Sequence, residues 1–323
     1  MRITSKMITD TYMTNLNESI GDLTKLSEQV STGRSYQKAS EDPATALKAY
    51  KVRENLSRIS LYQDNVSEAN SLLTDVESAY SELNEVLTSI SEQVIQGESD
   101  TSSEDDRATI AEILRSYQAE ILDIANTRSS DKYVFGGADM SVKPFNLEDD
   151  VLYYHGNDVD GATVYEEENL YYDVGLGLEI DQTTGEVVSG TAFNVANCGN
   201  EIFGTGTDSD GITNNLYNLI GKIADKLESN DLTDLDAYVT KLETITDNVM
   251  VQYTGIGQKT NFLDFVTTRL ENSEANAEKK QSLLETVDKA KAAVEYSAQE
   301  TAYEAALSMG SKIIQYSLLD YID

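Results

Sequence analysis

The chain has 323 residues, 57 acidic against 24 basic side chains and a formal net charge of −33, with 40% hydrophobic and 25% charged residues. That composition is globular, and the charge argues against nucleic-acid or anionic-membrane partners, whose phosphates are held by clustered Lys and Arg. A single cysteine, Cys198, excludes an intramolecular disulfide, and no apolar run approaches the ~20 residues of a spanning helix.

The opening segment, MRITSKMITDTYMTNL, lacks the apolar core of a secretory signal. Met13, Leu16, Ile20, Leu23, Leu26 and Val30 mark it as an amphipathic helix instead. A second helix is predicted from about Pro43 to Gln96. Asp42 caps it, Pro43 occupies a tolerated first-turn position and Gly97 ends it. Two seven-residue series run through it, Ile59, Val66, Leu73, Tyr80, Leu87 and Val94, and Tyr62, Ala69, Val76, Leu83 and Ile90. Unbroken by charge, they read as a narrow coiled-coil seam on a helix roughly 80 Å long, which needs other long helices beside it. Ile110, Leu114, Tyr117, Ile121 and Ile124 continue the pattern in a third helix.

Residues 133–213 differ. They hold 12 of the 19 glycines, and 16 acidic side chains against one basic, Lys143. Short runs such as Val151–Tyr154, Asn169–Asp173 and Glu186–Val188, bounded by Gly, Asp and Asn, predict a small β-rich domain with tight turns. Helical periodicity then returns at Leu216, Leu219, Ile223 and Leu227, and at Leu235, Val239, Leu242, Ile245 and Val249. A last long segment carries Leu263, Leu270, Leu284, Val287 and Val294, its seam thinning to Ala290, Ser297 and Thr301, small side chains that let helices approach closely. The expected fold is mainly α with a β-rich insertion. A long antiparallel helical rod, or coiled coil, built from both termini carries the small β domain at its far end. The expected division is 1–42 with 286–323 as a terminal coiled-coil domain, 43–132 with 214–285 as a long-helix rod, and 133–213 as a β-rich outer domain.

Few constellations invite chemistry. Gly255-Ile-Gly257-Gln-Lys-Thr260 looks like a phosphate loop, but Gln258 stands where glycine must precede the lysine, so a helix break or hinge is the expectation. The acidic turns Asn157–Gly161 and Asp208–Gly211 invite calcium. Their glycines set a register that puts Gly156 and Gly206 at the first ligand position, where oxygen is needed, so they read as turns. His155, the only histidine, reads as a surface residue beside a turn, and Cys198, with no basic neighbour in sequence, as an inert thiol. Glu166-Glu-Glu168 reads as a solvated face. No catalytic residue, cofactor site or metal site emerges, and the chain is expected not to be an enzyme. The terminal stripes lack cover of their own. Leu16, Ile20, Leu23, Leu26, Ile313, Ile314, Leu318 and Leu319 are therefore the expected assembly interface.

Leu26-Ser-Glu-Gln-Val-Ser-Thr-Gly-Arg34 followed by Ser40-Glu-Asp-Pro43 resembles the start of the flagellin superfamily. The Asp42-Pro43 pair, Asn126-Thr-Arg128 with Tyr133-Val-Phe-Gly-Gly137, and Tyr154-His-Gly-Asn157 resemble its hook–filament junction branch more than flagellin itself. Ala302-Tyr-Glu-Ala-Ala-Leu307 and Ile313-Ile-Gln-Tyr-Ser-Leu-Leu319 are similar to that branch's C-terminal helix, with Tyr316 where the family often has proline. The resemblance covers roughly 1–140 and 255–323. It implies a non-catalytic adaptor, exported by the flagellar secretion apparatus and chaperoned at its C-terminal region. Such an adaptor sits outside the cell between hook-associated protein 1 and flagellin, alongside other copies of itself in a ring. The alternatives are a flagellin filament subunit, or a secreted calcium-dependent binding module on residues 133–213.

Overall fold

A computed structural model describes the backbone of residues 2–161, 165 and 168–319, and the side chains of 6–161, 165 and 168–311. The order of elements is α1 (Arg2–Thr32), α2 (Pro43–Glu98), α3 (Glu104–Ala125), β1 (Arg128–Ser129), β2 (Lys132–Tyr133), β3 (Phe145–Glu148), β4 (Val151–Tyr154), β5 (Asn157–Asp158), β6 (Tyr171–Tyr172), β7 (Phe193–Asn194), α4 (Gly199–Phe203), α5 (Leu216–Glu228), α6 (Leu235–Glu285) and α7 (Lys289–Leu319). Long helices with small antiparallel sheets make it mainly α, as the periodicity predicts. The chain forms two compact units, Met1–Ile59 with Glu271–Asp323, and Ser60–Leu270.

The second unit is built on α2. Of its eleven predicted seam positions, ten are buried and Tyr62 is half-buried. Leu72, Ala79 and Val86 are buried as well. The face is thus wider than the narrow coiled-coil seam the spacing predicts, because α2 packs against more than one neighbour. The α3 helix begins at a capping box in which Ser103 and Asp106 each bond the other's backbone N–H, a signal that satisfies two orphan donors. It runs antiparallel to α5, held by Arg115 to Asp225 at 2.9 Å and by the Gln118 amide donating to the Tyr217 carbonyl at 3.0 Å. The buried Arg107 closes the end of this pair, donating to the Gly97 and Ser99 carbonyls and to Asn230.

The β region comprises two two-stranded ribbons and the antiparallel meander β3-β4-β5. Its hairpins turn on left-handed pairs, Asp149 and Asp150 at φ 49° and 64°, then His155 and Gly156 at φ 46° and 80°. Two consecutive positive φ values give the turn whose twist matches the strands it joins. Of the predicted runs, Val151–Tyr154 is a strand, Asn169–Asp173 contains β6, and Glu186–Val188 makes only an isolated bridge from Val187 to Ile180. An aromatic chain joins these loops to the helices. Tyr80 meets Phe135, Phe135 meets Phe203, Phe203 meets Phe145 and Phe145 meets Tyr154, with centroids 5.0–5.8 Å apart. The first three pairs are edge-to-face and the last is tilted, and such contacts add about 0.5–1.5 kcal/mol beyond burial. Two further ties hold the loop at 173–175. Asn65 donates to the Asp173 carbonyl at 2.8 Å, and Gly175 lies so close to the Tyr62 ring that a Cβ would sit 2.8 Å from it.

Candidate assembly surface

The first unit is built on α1 and α7. Along α1 the half-buried side chains are Thr9, Tyr12, Leu16, Ser19, Leu23, Leu26 and Val30, alternating by three and four, with Gln29 beside them. Along α7 the matching positions are Ala292, Tyr296, Gln299, Tyr303, Ala306 and Gly310. The pair is antiparallel. Tyr12 donates to the Ala306 carbonyl at 3.0 Å, and Gln299 donates to Ser19 at 3.1 Å. Both helices start and stop for local reasons. Gly33, at φ 74°, ends α1 in a left-handed cap, and the Lys289 side chain lies over it. Asp288 caps α7 by accepting from the Ala290 and Lys291 amides at 2.9 and 3.1 Å. The two junctions are tied together, Ser35 N–H to the Glu285 carbonyl at 2.8 Å and Val287 N–H to the Gly33 carbonyl at 3.0 Å. Arg53 grips the Glu285 carboxylate at 2.7 Å, and that hydrogen bond holds Glu285 below the usual carboxylate range.

This register corrects part of the terminal reading. Leu16, Leu23 and Leu26 face α7, whereas Met13 and Ile20 point to solvent. On α7 the small residues Ala290, Ser297 and Thr301 are exposed, and Val294 is 70% exposed. One stripe of the helix is spent on α1, while Val294, Leu307 and Met309 stay exposed at separate points around the rest of it. Tyr12, Tyr296, Tyr303 and Gly310 lie outside the aliphatic periodicity, although their helical spacing is a usable signal. Ile313, Ile314, Leu318 and Leu319 lie on α7, with their side chains outside the described residues. Leu263 and Val294 do not share one helix, because the chain breaks between α6 and α7.

The remaining candidates take structural places. Gly255–Thr260 lies inside unbroken α6, which overturns both the loop and the hinge. Lys259 of that stretch is half-buried, and burial lowers its affinity for a proton. In the acidic turns, Asp158 accepts from the Asp160 amide at 3.0 Å, and Asp208 from the Asp210 and Ile212 amides at 3.0 and 2.9 Å. Asp160 is engaged by Thr213 and by Asn218 at 2.9 Å. Among the described residues no three His, Cys, Asp or Glu side chains converge on a metal-sized site. His155 is half-buried rather than on the surface, its ring edge-on to Tyr154 at 4.4 Å. Cys198 is buried, and burial with nearby Glu201 and Glu168 pushes its thiol up to about 11. Glu168 accepts from the Ala138 amide at 2.9 Å, while Glu166 and Glu167 lie outside the described residues.

Comparison with known families places both helical ends. The family of bacterial flagellin N-terminal helical regions matches residues 3–138, and that of bacterial flagellin C-terminal helical regions matches residues 239–322. The chain thus carries both helical regions of the bacterial flagellins. Flagellar hook-associated protein 3 of Salmonella typhimurium is 28% identical over 147 residues, 45% of this chain and 46% of that protein. The Escherichia coli protein of the same name is 27% identical over 149 residues, 46% of this chain and 47% of the relative. A Clostridium tyrobutyricum flagellin is 25% identical over 127 residues, 39% of this chain and 34% of that protein. The match thus spans about half the length of the hook-associated relatives. The crystal structure of flagellar hook-associated protein 3 from Legionella pneumophila shares the fold at TM-score 0.58, with 13% identity over 73% of this chain and 98% of that one.

Proposed function

We propose that the chain is a structural adaptor of the bacterial flagellum, joining hook-associated protein 1 at the hook end to the flagellin filament. The observation that carries this reading is the antiparallel α1–α7 pair, drawn from the two flagellin-type ends, with Met13, Ile20, Val294, Leu307 and Met309 left exposed around it. A helix pair that leaves such apolar side chains exposed gains by burying them in an assembly. In this reading Leu16, Leu23 and Leu26 hold the pair together. Ile20, with Ile313, Ile314, Leu318 and Leu319, meets neighbouring copies in a ring. Residues 1–42 with 286–323 form the inner layer, 43–132 with 214–285 the next, and 133–213 the outward face. The chain is not an enzyme, works outside the cell, and travels through the flagellar export apparatus with a chaperone at its C-terminal region.

The flagellin alternative has weaker support, since the matches to flagellins extend over 123–127 residues, 24–34% of those proteins, against 147–149 residues, 46–47%, for the hook-associated relatives. Incubating the purified chain under conditions that polymerise flagellin separates the two. An adaptor forms at most short assemblies alone, and long filaments grown from this chain by itself would overturn the adaptor reading.

A further inference from the structure

A groove of about 550 Å³ opens in the second unit between α3, α5 and the turns of the β3-β4-β5 meander, a size within the usual range of ligand clefts. The protein already holds most of its polar side chains in place. Gln118 of α3 reaches across to α5, its amide donating to the Tyr217 carbonyl at 3.0 Å, and Gly221 makes room for it, since a Cβ there would fall 2.6 Å from the amide nitrogen. Arg115, one turn before it, is fixed by Asp225 and Glu228. From the meander side, Asp160 accepts from Thr213 and from the Asn218 amide at 2.9 Å, and Asp158 accepts from the Asp160 N–H at 3.0 Å. Asp150 and Lys222, both exposed, add a carboxylate and an ammonium to the lining. Tyr217 is its aromatic residue, and burial with nearby Asp150 makes the phenol hold its proton more tightly than usual.

These bonds use only part of each group's capacity. Gln118 and Asn218 keep a side-chain oxygen that accepts, Asp158 keeps its second carboxylate oxygen, and Lys222 and the Tyr217 hydroxyl donate. A lone cation placed here would meet Arg115 and Lys222, and a lone anion would meet Asp150, Asp158 and Asp160. A hydroxyl suits such a mixed lining, because it donates once and accepts twice. We propose that the groove is a binding site for a neutral saccharide, its hydroxyls taken up by these groups and an apolar ring face set beside Tyr217. Donors and acceptors already fixed by the protein lose little freedom on binding, which limits the ordering cost of so polar a contact. The groove is larger than one sugar ring, so a short oligosaccharide is the expected ligand. The site lies wholly within the second unit, and neither it nor the adaptor reading depends on the other.

The test presents the purified full chain to an array of neutral glycans of one to six rings, and follows each retained glycan in solution by saturation-transfer NMR with the free oligosaccharide. A subset of the array should be retained, and the same sugars should bind when free. Affinity should fall at least tenfold in the double variant Asp150→Ala, Lys222→Ala, and again in Tyr217→Leu, which keeps an apolar side chain but loses the ring and the hydroxyl. Glu82→Lys on α2 should leave it unchanged, and thermal melts should show all variants folded. Retention of no glycan would overturn the proposal, as would binding that the double variant leaves undiminished. So would spermidine or inorganic phosphate binding through these residues more tightly than any glycan, since the groove would then be an ion site.

Discussion

Gly310 on α7 lies directly beneath Tyr12 on α1, so close that a Cβ at 310 would fall on the tyrosine hydroxyl. The hydroxyl is held there by its bond to the Ala306 carbonyl at 3.0 Å, one helical turn earlier. Only glycine lets the ring cross α7 at this point. Gly310→Ala should therefore displace Tyr12 at a cost of about 1–3 kcal/mol, as overpacking does. Tyr12→Phe, which keeps the ring and loses only the bond, should cost about 1 kcal/mol. Amide exchange along α1 and α7 reads both. Because α1 has no fully buried side chain among those described, protection there should be lower than along α2 even in the wild type.

Leu73 and Val76 are wholly buried at consecutive seam positions of α2. Leu73→Asp would place an unpaired carboxylate there at a cost of several kcal/mol. Loss of cooperative thermal unfolding is expected, whereas Glu82→Lys on the exposed face should move the melting temperature little. An unchanged melt for Leu73→Asp would mean that α2 does not pack through this face.

Glu98, at the end of α2, binds a proton more readily than an ordinary glutamate because it hydrogen-bonds to Asp236, is partly desolvated and lies near Glu243. A carboxyl whose folded pKa is raised disfavours the fold once pH rises above its unfolded value of about 4.3. Glu98→Gln should thus raise the melting temperature at pH 7, and the gain should disappear near pH 4. The opposite sign applies to Glu285, whose depressed pKa contributes stability above its unfolded value and loses it as pH falls. Removing its partner with Arg53→Ala should weaken the first unit at pH 7 by at most about 1 kcal/mol, since Arg53 is largely exposed, and should have little effect in acid.

Cys198, buried and with its thiol pushed up to about 11, holds almost no thiolate at neutral pH. Iodoacetamide should leave the native chain unmodified for as long as it takes to alkylate a guanidinium-unfolded sample completely. Comparable rates in the two states would place the thiol at the surface.

The helices of the second unit were legible in the sequence because Leu, Ile and Val mark their faces without competition, as at Leu73, Leu83 and Ile90. Even there only the seam was legible, since Leu72, Ala79 and Val86 become core only when further helices are present. The register of α7 was not. Ala and Ser occupy both faces, so hydrophobicity alone cannot separate the stripe against α1 from the rest of the helix. The deciding residues are Tyr296, Gln299, Tyr303 and Gly310, whose burial depends on the partner helix. The half-turn at Asp149-Asp150 was equally hidden, because Asp is an uncommon choice where Asn-Gly is the usual signal. Gly255 and Gly257 misled in the other direction, as α6 is long enough to carry both without breaking.

The adaptor account is tested most directly by electron microscopy of a strain lacking this protein, with flagellin assayed in the culture medium. The account predicts bare hooks, flagellin released into the medium, and filaments restored by the wild-type chain but less well by Gly310→Ala. Normal filaments on the deletion strain would contradict it.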